Sequence, residues 1–196
     1  MSSLARVIVL AEDERHQRFI RQYLYRVPAH AAGGRQYQTH DIRAVTAPSG
    51  RGSAEQWVRS QYPAEVKEYR RRSKKLSIAL IVAIDADTRE VDQRLRQLRE
   101  ALEQAELAVR ADGETIVHLI PKRNIETWLF CLSGENVDEL TNYSQSPDID
   151  ALIPVAAATF FQWSRTNAVP PGQYVPSLAA AIPEVRRLEQ RNDGLN

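Results

Sequence analysis

The stretch Ile78-Ala79-Leu80-Ile81-Val82-Ala83-Ile84 runs seven apolar residues without interruption and ends in Asp85-Ala86-Asp87. A run this short and this rich in Ile and Val reads as a strand buried on both faces, as inside a parallel sheet covered by helices on either side. Side chains two apart on an extended backbone project the same way, so Asp85 and Asp87 leave the strand's C-terminal end together. Open α/β sheets bind their ligands at that end. Two carboxylates sharing one spot raise each other's pKa unless a cation lies between them. The pair therefore reads as a site for Mg²⁺ or Mn²⁺, which take hard oxygen ligands.

A second acidic strand exit lies near the start of the chain. Val7-Ile8-Val9-Leu10-Ala11 leads straight into Glu12-Asp13-Glu14 and a helix with His16, Phe19, Ile20, Tyr23 and Leu24 at helical spacing. Neighbouring strands lie about 5 Å apart, so adjacent exits would gather three carboxylates around one ion. Either Glu12 or Asp13 is the first-strand ligand on this reading. Repulsion among the acids predicts that neutralising one of them raises stability without metal. His16 reads by default as a surface residue, and His118, inside a strand pattern, as packed or hydrogen-bonded. The four histidines show no zinc-site spacing.

Strands and helices alternate along the first two thirds of the chain. Strands are expected at about 5–11, 40–47, 76–85 and 115–120, and helices at about 13–26, 54–74 and 88–109. Val27-Pro28 stops the first helix, Gly33-Gly34 marks a loop, and Ser53 caps the second helix after the flexible segment 48–53. Beyond Pro121 come a helix at about 123–133, a polar loop at 134–150, and helices at about 148–165 and 176–191 parted by Pro170-Pro171-Gly172. This pattern predicts an α/β fold with a mostly parallel four-stranded sheet over residues 1–133 and a helical C-terminal extension, 134–196, packed on the same domain.

Composition narrows the function classes. With 43% apolar and 26% charged residues, the chain supports a core and an ordinary soluble surface. A net charge of +1 gives no global pull toward nucleic acid, so such binding needs a local patch. Lys67, Arg70, Arg71, Arg72, Lys74 and Lys75 form one, interrupted by Glu68 and Tyr69. The run reads equally as a solvated helix face or as a footprint for a phosphate backbone. The single cysteine, Cys131, sits in an apolar helix pattern and excludes an internal disulfide. The absence of a long apolar span or signal-peptide layout points to a cytoplasmic protein with no membrane partner.

The placement of Glu12 after the first strand and of Asp85 and Asp87 after the third resembles the Toprim domain of topoisomerases, primases, small ribonucleases and overcoming-lysogenization-defect nucleases. The resemblance covers about residues 5–120 and departs where Asp13 replaces the glycine that usually follows the family's glutamate. The segment Leu119-Ile120-Pro121-Lys122-Arg123-Asn124-Ile125-Glu126-Thr127-Trp128 is similar to the end of the Toprim-like unit in small bacterial phage-defence proteins, where a Pro and a Glu followed by Trp recur. The resemblance implies a metal-dependent nuclease effector in which Glu12, Asp85 and Asp87 hold Mg²⁺ or Mn²⁺. Lys122 or Arg123 would then offset charge on the phosphate, and Glu126 would either serve the site or stabilise its own helix start. A partner ATPase is expected to act beside it, since the chain lacks a Gly-x-x-x-x-Gly-Lys phosphate loop.

Three other classes share parts of this pattern. Haloacid-dehalogenase phosphatases carry paired aspartates, but Arg89 stands where they place Thr or Val. Leu10-Ala11-Glu12-Asp13-Glu14 resembles the start of a response-regulator receiver, in which Asp85 would accept a phosphoryl group. A non-catalytic binding subunit with residual acids is the third.

Overall fold

A computed structural model describes residues 6–27, 36–50, 52–170 and 174–189. Gly33-Gly34, Pro171-Gly172 and the end of the last expected helix lie outside the described residues. Four strands, β1 (Arg6–Ala11), β2 (Ile42–Thr46), β3 (Ile78–Ala83) and β4 (Ile116–Leu119), form one sheet in the order β2-β1-β3-β4. Every pairing is parallel, so the chain has a Rossmann-like α/β architecture. Helices α1 (Glu14–Leu24), α2 (Ala54–Ser73) and α3 (Val91–Gln104) connect the strands, and α4 (Ile125–Leu132), α5 (Ile149–Ser164) and α6 (Pro176–Val185) follow.

The period of two in the strands divides the core into two layers. Val7, Val9 and Ala11 join Ala79, Ile81 and Ala83 on the face covered by α1 and the three C-terminal helices. Ile8 and Leu10 join Leu80, Val82 and Ile84 on the other face, against Val58, Tyr62, Val66 and Tyr69 of α2 and Leu98 and Leu102 of α3. Trp128 is fully buried in the first layer, its ring 6.1 Å from Phe160, and its indole N–H donates to Ser177 Oγ at 2.8 Å. The C-terminal helices thus share one core with the sheet.

β4 is an edge strand, and side chains close its open side. Glu184 accepts the His118 backbone N–H at 2.9 Å, and Arg110 donates to the Ile116 carbonyl at 3.0 Å. The two side chains also pair with each other, occupying ladder groups that would otherwise be free to recruit another strand.

Local chemistry sets the helix ends. Ser53 accepts the Gln56 N–H as the α2 cap. α3 is shorter at both ends than its periodicity predicts. Asp87 takes a left-handed φ of 58° and the chain turns through Arg89, whose N–H reaches the Ala86 carbonyl, before Glu90 and Gln93 form a capping box. Glu106, at φ 55°, ends α3 by letting the Leu107 N–H return to the Leu102 carbonyl, a Schellman closure.

Candidate functional site

The strand order places β1 and β3 side by side, with the connection out of β1 running over one face toward β2 and the connection out of β3 over the other toward β4. The crevice at their C-terminal ends is the topological switch point, where such sheets take ligands. The ladder continues past the strands, from the Glu12 N–H to the Ala83 carbonyl at 3.0 Å. Glu12 Oε2 then accepts the Asp85 backbone N–H at 2.8 Å, so the two acidic exits meet.

Asp13 has a different task from Glu12. Its Oδ1 accepts the His16 backbone N–H at 2.9 Å as the α1 cap and also faces His16 Nδ1 at 2.8 Å. His16 Nε2 lies 3.0 Å from Asp85 Oδ1. His16 is only 1% exposed, which overturns its reading as a surface residue. An imidazole with a carboxylate oxygen at each nitrogen donates from both, the arrangement of a protonated ring. Burial works against that charge, yet the pKa of His16 stands well above its ordinary value because Asp85 and Asp13 hold the proton. The signal in the sequence was the three-residue step from Asp13, which puts His16 over the cap.

Asp87 departs from the expected cluster. Its side chain is 52% exposed, and Oδ2 lies 3.3 Å from Arg94 Nη2. Arg94 is 1% exposed and ties three elements together. Its Nε donates to the Asp85 carbonyl at 2.9 Å, and Nη1 donates to Glu55 at 2.5 Å and to Gln97 at 2.8 Å. Neither Arg94 nor Glu55 stood out in the sequence, since each looks like an ordinary charge on an amphipathic helix. Among the described residues, no three His, Cys, Asp or Glu side chains stand in a metal-binding group. The physical reason is charge pairing: the acids separate onto cationic partners, Asp85 on His16 and Asp87 on Arg94.

The acids carry raised pKa values, chiefly from burial. Burial, then the neighbouring Asp85, pushes the Glu12 carboxyl up to about 7. Burial pushes Asp85 up to about 6 against the pull of His16. Asp87 is raised too, by burial, although Arg94 opposes the shift. Glu12 and Asp85 each commit one oxygen to a hydrogen bond among the described residues, and Asp87 is half-exposed. Carboxylate oxygens from two adjacent strand exits are of the chemistry that suits a hard divalent cation.

The remaining expected residues surround this centre unequally. Lys122 Nζ is tied to the Arg89 carbonyl at 2.8 Å and to Glu90 at 2.5 Å, bracing the turn after Asp87. Arg123 and Arg89 lie close enough to Asp87 to oppose its raised pKa. Glu126 is buried in the first turn of α4 and ion-paired with Arg15, while Asn124 caps that helix. The buried carboxylate also lies near Asp85, whose proton it helps retain.

The basic run is far from the acids. α2 runs back along the sheet, so Glu55 sits beside Arg94 whereas Arg70, fifteen residues on, lies about 22 Å away along the helix. Arg70 is a brace to Glu114 and to the carbonyls of Ala108 and Val109. Arg71 and Arg72 both pair with Glu68. Substituting Ala for Arg71 and Arg72 together is therefore expected to change the log–log salt slope of nucleic-acid binding by less than about 1, where two lost phosphate contacts would cost about 2. A salt titration of binding measures this, and a change near 2 would restore the run as a phosphate footprint.

No protein-family model matches the chain, and no curated protein or solved structure matches it either. Among the described residues, no helix is long and apolar enough to cross a membrane.

Proposed function

We propose that this chain is a Mg²⁺- or Mn²⁺-dependent phosphodiester-cleaving protein of Toprim-like type, acting on nucleic acid as a phage-defence effector beside a partner ATPase. The observation that supports it best is the meeting of Glu12 and Asp85 at the β1 and β3 exits, where Glu12 accepts the Asp85 N–H. A bound divalent ion would supply polarisation of a phosphoryl oxygen and an activated water. Glu12 and Asp85 each offer that ion an oxygen, His16 fixes the rotamer of Asp85, and Arg94 holds the Asp85 backbone in place. Arg123 and Arg89 stand beside Asp87 to offset charge on the phosphate. In the reaction the water oxygen bonds to phosphorus as the P–O bond to the leaving group breaks, giving a phosphate monoester and a hydroxyl.

The first test is metal affinity against pH. Glu12 and Asp85 have raised pKa values, so the proton each retains stabilises the fold below its ordinary pKa, and that contribution is lost as pH rises to about 7 and about 6. The stability contribution of His16 has the same sign and persists below its raised value. Metal-free protein should therefore lose stability as pH rises from about 4.5 to about 7, and Mn²⁺ should reverse the loss. Calorimetric Mn²⁺ affinity should climb about tenfold per pH unit for each proton displaced. A flat affinity across that range would remove the acids from the metal site.

The strand order favours one second reading. An acid at the β1 exit and an aspartate at the β3 exit, in a 2-1-3-4 order, match the switch-point geometry of receiver-like sheets. Incubation with acetyl phosphate separates the two, because only a receiver gains a phosphoryl group on Asp85.

A further inference from the structure

A second concave site lies away from the acids, between α3 and β4. The cleft measures about 360 Å³, within the range of small-molecule pockets. Leu95, Leu102 and Val109 supply its apolar walls, and Arg96, Arg99 and Arg110 are its charged lining. Among the described residues, no acidic side chain lines it.

The arginines differ in what already occupies them. Arg110 is committed to Glu184, at 2.5 and 3.1 Å, and to the Ile116 carbonyl. Arg99 has only Glu103, at 3.9 Å, and Arg96 makes no ion pair or hydrogen bond among the described residues. Arg96 and Arg99 lie three apart on α3, which puts them on one face and within reach of one ligand. Two forked guanidiniums match a dianionic phosphate, whereas one fork would satisfy a carboxylate.

The third observation comes from the buried part of the lining. His118 is 7% exposed, and its Nε2 lies 2.9 Å from the Tyr62 hydroxyl, while Nδ1 has no hydrogen-bond partner among the described residues. Burial, with Arg110 nearby, pushes His118 down to about 3, so the ring is neutral and carries one hydrogen. Whichever of the Tyr62 hydroxyl and Nε2 donates to the other, Nδ1 is left without a partner among the described residues. A buried polar atom left unpaired is rare in a folded protein and calls for an explanation.

We propose that this cleft binds a phosphate monoester with a planar or apolar body, the class of a nucleoside monophosphate. Arg96 and Arg99 take the phosphate, and the body packs on Leu95, Leu102 and Val109 with a polar atom toward His118. The site is separate from the acidic centre and does not rest on the proposed cleavage.

The test is calorimetry on the full chain in the presence of EDTA, with adenosine and cytidine monophosphates, phenyl phosphate, inorganic phosphate and adenosine as probes. A monoester should bind more tightly than either inorganic phosphate or adenosine. Arg96→Ala with Arg99→Ala should weaken it about tenfold or more, the scale of losing charge-assisted hydrogen bonds. Both side chains are solvent-exposed, so the fold should survive, as circular dichroism would verify. Glu12→Gln should bind as the wild type does, and the His118 imidazole ¹⁵N signals should move on saturation. Preference for phenyl phosphate identifies an apolar body and preference for a nucleotide a planar base, and either supports the site. No binding of any monoester at millimolar concentration, unchanged binding in the double variant, or loss of binding in Glu12→Gln overturns it.

Discussion

Asp85→Asn is expected to lower Mg²⁺- or Mn²⁺-dependent phosphodiester cleavage by about 100-fold or more, the scale on which losing one group at a developing charge is felt. The substitution keeps the size of the side chain and removes the negative charge that a hard cation needs. Nucleic-acid binding should persist or tighten, since a charge that repels phosphate is gone. The substitution leaves the buried His16 with Asp13 alone, but the raised pKa of Asp85 means that burying its charge costs more than that pairing returns. Metal-free Asp85→Asn should thus melt above the wild type at neutral pH, whereas Asp87→Asn, half-exposed, should change little. Cleavage rates with Mn²⁺, alongside thermal melts in EDTA, give both readouts. A wild-type rate in Asp85→Asn that still requires metal would end the proposed mechanism.

Arg94→Ala carries the largest expected effect on folding. The guanidinium is buried and satisfies the Asp85 carbonyl, Glu55 and Gln97. Removing this buried side chain leaves the Asp85 carbonyl without its donor, Glu55 with Arg59 alone and a cavity where the guanidinium packed, together at about 3–5 kcal/mol. For a chain of this size that corresponds to a melting temperature lower by about 6–20 °C. Arg94→Lys keeps the charge without the fork and should fall between the two. An unfolding free energy from denaturant titration of Arg94→Ala within about 1 kcal/mol of wild type would mean that the network adds rigidity without stability.

How much of this was legible in the sequence depends on the range of the interaction. The buried strand at Ile78–Ala83, the cap at Ser53 and the alternation of strand and helix follow from patterns a few residues long, and they are present as expected. The ends of α3 were not legible, because aspartate at 87 and glutamate at 106 give no glycine signal for the left-handed backbone they adopt. The basic run is the opposite case: its composition reads equally as a solvated face or a phosphate footprint, and Glu114 is held against Arg70 only because the turn before β4 folds beside the end of α2.

The candidate site divides along the same line. Local sequence determined that carboxylates leave two strand ends, because period-two alternation and abrupt polar exits are written residue by residue. Which of those ends are neighbours is a matter of strand order, and only the tertiary structure decided it. The order β2-β1-β3-β4 brings Glu12 to Asp85 across seventy-three residues and His16 to Asp85 across sixty-nine. Pairings between residues this far apart leave no trace in the spacing of either partner, since each side chain's local pattern is satisfied whether or not the other arrives.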